Sequence, residues 1–227
     1  MKTKIILIAS VVAAFLSSAA SAQSNSEPGQ FSIRAGFGGG VTRGDFLPGI
    51  TGRGALKTDD VYKSSAQFSL GFGFALSPES QVTFDITRRQ AEGKNFLPRV
   101  GAVLSALSDA RSTSAIVGFE YMPSGLNQSG FVLGAGLGYE RTDALTLKNL
   151  PVANRELFKK SNGLTADLRV GYQFAVSENA LLRLAVTPTL SPKRELNAAN
   201  ATLLALGKVK SESSVTIPAT LQFEYRF

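Results

Sequence analysis

Three residue types are missing from this chain of 227 residues, which has no cysteine, no histidine and no tryptophan. Without cysteine the chain has no disulfide, no thiol nucleophile and no lipoprotein anchor. Without histidine it lacks the usual general base at neutral pH, so Ser-His and Cys-His nucleophile pairs are excluded. We therefore predict that the protein is not an enzyme and has no catalytic residues, metal ligands or cofactor.

Long apolar runs are also scarce, and the one at the N-terminus is short. Lys2 and Lys4 precede a mostly apolar run of 12 residues over 5–16, and Ala20-Ser21-Ala22 follows as an A-x-A cleavage pattern. A membrane-spanning helix needs about 20 apolar residues. We interpret 1–22 as a cleaved signal peptide for export through the periplasm, followed by a short periplasmic segment over 23–29; an uncleaved anchor is the alternative.

What the chain has in abundance is alternation between apolar and polar residues. From Val215 to Phe227 every second residue is apolar or aromatic, and the residues between them are mostly polar. A period of two places alternate side chains on opposite faces of a strand. A soluble sheet rarely ends on an exposed Phe, whereas the outward face of an outer-membrane strand meets lipid and carries an aromatic girdle at each interface.

Seven further segments alternate in the same way, and short turns between them alternate with long connections. Short periplasmic turns and longer extracellular loops are typical of outer-membrane barrels. We predict an all-β, eight-stranded antiparallel up-and-down transmembrane barrel over 30–227, with four long extracellular loops and both termini in the periplasm. The predicted strands cover about 30–42, 65–76, 81–90, 111–122, 130–141, 163–175, 180–190 and 215–227.

A weak internal repeat supports this arrangement. The even-numbered predicted strands end in pairs of aromatic residues two positions apart, and the pairs recur at a spacing of about 50 residues. Each copy falls where an even strand reaches the periplasmic interface, which predicts an aromatic girdle there. The predicted girdle residues are Phe72, Phe74, Phe119, Tyr121, Tyr172 and Phe174, and the fourth copy is Phe223, Tyr225 and Phe227.

These features resemble the small eight-stranded outer-membrane barrels of the opacity, outer membrane protein X and outer membrane protein A type, within the porin-like family. The resemblance covers nearly all of 30–227 and depends on the signal peptide, the alternation and the terminal aromatic residue. It implies localisation in the outer membrane and recognition of the last strand by the barrel-assembly machinery. The residues implied as this assembly signal are Phe223, Tyr225 and Phe227.

Charged residues occupy the inward face of the predicted strands. An eight-stranded barrel is only wide enough for its own side chains, and buried charges must be paired. We therefore predict a salt-bridged interior with inward glycines making room for long side chains; an ion path through the same charges is the alternative. The predicted interior charges are Arg34, Asp85, Glu120, Glu140, Asp167, Arg169, Arg183, Glu224 and Arg226.

The basic residues are distributed unevenly between the two ends of the predicted barrel. The chain has a net charge of +7, yet the short turns contain no Lys or Arg. Lipopolysaccharide phosphates lie at the opposite rim, and guanidinium groups bind phosphate in a bidentate manner. We predict contact with outer-membrane lipid and lipopolysaccharide rather than with nucleic acid; basic loops that only aid solubility are the alternative. The predicted rim residues are Arg43, Arg88, Arg89, Arg111 and Arg141.

The long connections contain apolar residues at helical spacing, for example over 100–107 and 196–206. Such residues either pack together as a rigid cap or bind a hydrophobic ligand or a partner.

Pro188 and Pro218 each remove a backbone hydrogen-bond donor from a predicted strand. We therefore expect a frayed rim or a bulge; a lateral opening toward lipid is the alternative.

The function expected is therefore that of a closed, monomeric barrel. It acts structurally or through its surface loops in envelope integrity, adhesion or interaction with a host or ligand. The alternative is a narrow porin-like channel or a carrier for small or hydrophobic solutes.

Overall fold

The computed structural model describes residues 28–47, 56–96, 105–148, 156–194, 197 and 214–227. The predicted signal peptide and most of 23–29 lie outside these residues. A four-residue helix, α1 (Thr58–Val61), is present together with fifteen strands. The strands are β1 (Phe31–Arg43), β2 (Asp45–Leu47), β3 (Leu56–Lys57), β4 (Tyr62–Ser77), β5 (Ser80–Gly93), β6 (Asn95–Phe96), β7 (Ser105–Leu107), β8 (Ala110–Tyr121), β9 (Gly130–Thr142), β10 (Leu145–Lys148), β11 (Glu156–Phe158), β12 (Ser161–Ala175), β13 (Ala180–Val186), β14 (Thr189–Ser191) and β15 (Ser214–Arg226).

The long strands form one closed antiparallel barrel. Their order is β1-β4-β5-β8-β9-β12-β13-β15, with β14 continuing β13 between β12 and β15, and the first and last strands pair to close the sheet. The predicted eight-stranded up-and-down barrel is thus confirmed. The closing seam between β1 and β15 is continuous over 12 residue pairs, from Ser32↔Arg226 to Arg43↔Val215.

Two opposite surfaces follow from the alternation. The outward residues are large, apolar and exposed, which is the reverse of a soluble core, and the inward residues are polar and buried. A closed sheet satisfies its backbone groups within itself, and this is the requirement for a backbone that lies in lipid. Outward residues in the belt include Ile33, Phe37, Leu70, Phe84, Val117, Leu133, Leu137, Leu168 and Leu184.

The described parts of the long connections carry additional strands. β11, β10, β7 and β6 form a second sheet of four strands, and β2 pairs with β3. Leu107 lies in β7, so the helical interpretation is wrong at this position, whereas 100–104 and 198–206 lie outside the described residues. The described residues contain no helix that is long and apolar enough to cross a bilayer.

The two strand prolines interrupt the ladder without changing its register. Pro188 lies in the two-residue gap between β13 and β14, and Pro218 lies within β15. The Thr187 N–H donates to the Pro218 carbonyl at 3.0 Å, and the Leu168 N–H donates to the Pro188 carbonyl at 3.0 Å. The expected frayed rim or bulge is therefore wrong. Proline accepts a ladder bond but cannot donate one, so the result is a short break inside a continuous wall.

Single cysteines can test this register, because the chain has none of its own. Leu137 is 71% exposed on the outer face and Thr165 is 2% exposed inside. In the folded barrel in vesicles, Leu137→Cys should react with a lipid-soluble maleimide, and Thr165→Cys should react only after the barrel is unfolded by heating. Slower migration of the heated sample on gels controls for folding. The opposite pattern of labelling would show that the register is shifted by one residue.

Candidate functional site

All nine charged residues predicted to face inward are buried inside the barrel. They come from β1, β5, β8, β9, β12, β13 and β15, so almost every barrel strand contributes to one shared interior. Neighbouring inward positions on a strand are two residues apart, which is why residue pairs such as Asp167 and Arg169, or Glu224 and Arg226, lie next to each other. The sequence spacing alone does not show which charges meet across the barrel.

Glu120 is the centre of the network of ion pairs, near the periplasmic end of β8, and is 1% exposed. Its carboxylate accepts hydrogen bonds from Arg34 at 3.0 Å, Arg169 at 2.8 Å and Arg183 at 2.8 Å. The Gln81 side-chain amide donates to the same carboxylate at 2.8 Å. One carboxylate from β8 therefore ties together arginines from β1, β12 and β13 across the lumen.

A second carboxylate extends the network through the same arginines. Asp85 accepts from Arg34 Nε at 2.7 Å and forms a further short contact with Arg34 Nη2. Arg169 Nη1 lies 2.9 Å from the Asp85 carboxylate, and Arg169 Nη2 donates to Asp167 at 3.0 Å. Each of these guanidinium groups is thus shared between carboxylates from different strands, and charge-assisted bonds of this kind are among the strongest in proteins.

Glu224 completes the network in the last strand. Its carboxylate accepts from Arg183 at 3.0 Å and lies 2.8 Å from Arg226 Nη2. Arg183 also donates to the Gln173 side-chain oxygen at 3.2 Å. Because Glu224 and Arg226 belong to β15, the strand that closes the barrel is connected to the lumen network as well as to β1 through its backbone.

Inward glycines make room for the network. A methyl group added at Gly118 would lie 3.2 Å from Arg169 Nη2 and 2.9 Å from Thr83 Oγ1. One added at Gly134 would lie 2.9 Å from the Glu120 side chain. These positions lack a side chain because the arginine and carboxylate groups already occupy the space.

An apolar layer closes the periplasmic end of the barrel, and the sequence analysis did not predict it. The turn after β8 folds inward, so that Met122 and Leu126 are fully buried with Ala75 and Val132. Gly125 permits this turn with a φ of 101°, which side chains other than glycine rarely adopt. The Gln173 amide holds the turn by donating to the carbonyls of Gly125, Leu126 and Gln128 at 3.2, 3.0 and 2.7 Å.

The opposite mouth is occupied by apolar residues from the extracellular side. Residues from α1 and β4, and from β10 and β11, are buried there. Below them Glu140 lies 3.9 Å from Arg89, whose side chain is 11% exposed and also donates to Gln67 at 3.3 Å. The buried apolar residues are Val61, Tyr62, Leu145, Leu157 and Phe158.

The predicted outward position of Arg89 at the rim is wrong. We expected five arginines to face the surrounding lipid at the outer edge, but Arg89 points into the lumen, since it follows the outward Arg88 by one residue in a strand. Arg43, Arg88, Arg111 and Arg141 are exposed and face outward. Arg43 lies on β1, away from Arg88, Arg111 and Arg141 on the neighbouring strands β5, β8 and β9.

The predicted girdle residues lie on the outer surface at the periplasmic ends of their strands, where some of their rings contact neighbouring rings. Tyr172 and Phe174 have ring centroids 4.9 Å apart, and Tyr225 and Phe227 lie 5.2 Å apart. The Phe227 N–H donates to the Phe31 carbonyl at 2.9 Å, so the last residue is part of the closing seam. The exposed girdle residues are Phe72, Phe74, Phe119, Tyr121, Tyr172 and Phe174, with Tyr225 and Phe227; Phe223 is partly covered.

The chemistry available in the lumen is that of paired charges. Each of the five inward carboxylates has an arginine within 4.0 Å, so none is a free base. Among the described residues, no group of three or more acidic, cysteine or histidine side chains is arranged to hold a metal ion. The arrangement is suited to filling and bracing a barrel.

No protein-family model and no curated protein sequence matches the chain. Solved structures do match. OprG, an outer membrane protein from Pseudomonas aeruginosa, is 22% identical with a TM-score of 0.54, and the match covers 88% of this chain and 97% of that chain. A major outer membrane protein from Thermus thermophilus is 14% identical with a TM-score of 0.51, covering 88% of this chain and 100% of that chain.

Ail, the attachment invasion locus protein of Yersinia pestis, is 14% identical with a TM-score of 0.50, again covering 88% of this chain and 100% of that chain. These likenesses concern the fold, and they agree with the closed strand order. The exposed apolar belt is the surface that such a barrel presents to lipid. The chain is a small eight-stranded β-barrel of the outer membrane.

Proposed function

We propose that the protein is a closed, non-enzymatic barrel that anchors surface loops in the outer membrane and does not conduct ions. Its biological role is then structural, in envelope integrity, or depends on contacts that the loops make in adhesion or with a host or ligand. The observation that carries this proposal is the single buried carboxylate of Glu120, shared by Arg34, Arg169 and Arg183 across the periplasmic half of the lumen.

Energetics support a closed lumen. Removing one partner of a buried charge pair costs about 3–5 kcal/mol, since the other charge is left without compensation. An ion moving through this lumen has to separate several such pairs, because Glu120, Asp85 and Glu224 share their arginines. The apolar layers at the two ends add a second barrier.

A carrier function is the second candidate, and the break at Pro188 is the observation that favours it. Here β13 gives way to β14, and two neighbouring ladders each lack a proline donor. Because proline has no N–H, each of these two ladders has one potential backbone hydrogen bond fewer to break when the strands separate. A small hydrophobic solute captured by the loops would leave toward lipid here, without passing the charged lumen.

Single-channel recording tests the closed lumen. The refolded barrel should show no stable open level in planar bilayers. The double variant Arg34→Ala with Glu120→Ala removes one buried ion pair. It should produce channel openings, because it leaves empty volume in the lumen without changing the net charge. The matched control is Lys63→Ala with Glu92→Ala, an exposed pair 2.9 Å apart that should stay silent. A stable open level in the unmodified barrel would contradict the proposal.

The bracing role of the network can be measured as stability. We expect Glu120→Gln to lower the free energy of unfolding in vesicles by about 3–5 kcal/mol, since it removes the carboxylate that three buried arginines share and leaves an uncompensated positive charge in the lumen. Glu92→Gln makes the same chemical change in a pair whose side chains are 55% and 64% exposed, and should cost at most about 1 kcal/mol. Denaturant titration gives both values, and equal losses in the two variants would show that the lumen network does not brace the barrel.

The assembly role of Phe227 is tested by comparing cells with refolding. Deleting Phe227 should lower the amount of folded barrel in the outer membrane several-fold, while the purified variant still refolds in detergent. Phe227→Tyr keeps the aromatic ring and serves as control. Normal membrane levels after the deletion would refute the assembly signal. Failure in both settings would instead indicate that the residue acts only through the closing seam.

A further inference from the structure

Three arginines project outward from adjacent strands at the loop end of the barrel. Arg88 in β5 is paired with Thr113 in β8, which is paired with Arg141 in β9, so these residues form one row. Arg111 lies two residues further along β8, toward the loops. All three guanidinium groups are on the exposed outer face.

These arginines differ from those in the lumen. Within the part of the chain that the structure describes, none of the guanidinium groups of Arg88, Arg111 and Arg141 has an ion pair or hydrogen bond, whereas Arg34, Arg89, Arg169, Arg183 and Arg226 each have a carboxylate partner. Three unpaired cations on one outward patch repel each other and are suited to an anion from outside the chain.

A groove runs from this cluster down the barrel wall. Its floor is formed by the small outward residues Thr113 and Ala115 of β8, and larger residues on β5 and β9 form its sides. Ile86, Ala115 and Tyr139 make up the row below the arginines. The side strands are two strand spacings apart, about 10 Å. Together these residues line a cleft of ≈ 590 Å³, which we call the rim cleft.

Along the membrane normal, the rim cleft lies at the extracellular interface between the apolar band and the lipid headgroups. Tyr121 marks the periplasmic girdle on β8, and Arg111 lies near the other end of the same strand. At about 3.4 Å per residue and a tilt of about 40°, the distance between them along the membrane normal is roughly 26 Å. The apolar band of an outer-membrane barrel is about 25 Å tall. The arginines therefore lie at the level of lipid headgroups, and the groove lies at the level of acyl chains.

We propose that the rim cleft is a binding site for one phosphorylated glycolipid of the outer leaflet, of the lipid A type. Arg88, Arg111 and Arg141 hold its phosphate groups, and one acyl chain lies in the groove over Ala115. Asp143 also lines the cleft, which leaves a net charge of +2 on its charged residues. This site goes beyond the proposed function, because it lies on the outer wall and is independent of whether the lumen conducts.

Charge substitutions test the headgroup contacts. The refolded mature barrel in detergent is titrated with bis-phosphorylated lipid A and followed by native mass spectrometry. The triple variant Arg88→Gln, Arg111→Gln and Arg141→Gln should lower the affinity at least about tenfold. The control Lys57→Gln, Lys159→Gln and Lys160→Gln removes the same charge from exposed positions on the same side of the membrane and should change the affinity less than about twofold.

A second pair of variants tests the groove without changing any charge. Ala115→Phe fills the floor of the rim cleft and should weaken lipid A binding several-fold. Ala219→Phe makes the same substitution on the exposed outer face of β15, on another side of the barrel, and should have no effect on binding. Heat-dependent gel migration shows that each variant is folded.

The outcomes separate a lipid site from its alternatives. Equal losses in the two charge variants would overturn the proposal in favour of diffuse attraction. Equal affinity for phosphatidylglycerol would overturn it in favour of a general anionic surface, and competition by inorganic phosphate with no effect of Ala115→Phe would reduce it to an ion site. Conductance of the same variants stays as in the unmodified barrel under this proposal, so its failure is distinguishable from failure of the closed-lumen proposal.

Discussion

Closure of the sheet is the constraint on which the rest of the structure depends. A backbone in lipid has no water to bond with, so every strand needs a partner on both sides, and the first and last strands must find each other. The seam between β1 and β15 meets this requirement over 12 pairs, and the amide of Phe227 extends it by donating to the Phe31 carbonyl. Once eight strands close, inward and outward faces are separated for the entire chain.

In a narrow lumen, each inward charge must then lie next to an opposite charge. Arginines on β1, β12 and β13 are long enough to meet at Glu120, and glycines at neighbouring positions leave them room. Such pairing removes the penalty of burying isolated charges, but it adds little beyond that. Its consequence is a lumen that is filled and braced, with an apolar layer around Met122 at one end and another around Phe158 at the opposite end.

The outer wall has its own organisation. Its belt is apolar, its periplasmic edge is aromatic, and its outer edge has a cluster of three unpaired arginines on the neighbouring strands β5, β8 and β9. On the other side of the barrel, Pro188 and Pro218 shorten the ladder where β13 meets β14. Contacts with lipid, and any passage toward it, therefore depend on particular strands, whereas the lumen involves almost all of them.

Much of this architecture could be predicted from the sequence, because a period of two assigns each strand residue to one of two faces and a closed sheet leaves no other choice. Alternation identified the eight strands and the nine inward charges. It equally implied that Arg88 and Arg89 face opposite sides, although both were assigned to the rim. The strands in the long connections, the inward turn at Gly125 and the register across Pro188 were not predictable, since they depend on contacts between distant segments. The partners of Glu120 and the convergence of Arg88, Arg111 and Arg141 were decided only by the tertiary structure, because strand tilt and neighbour order determine which side chains share a level.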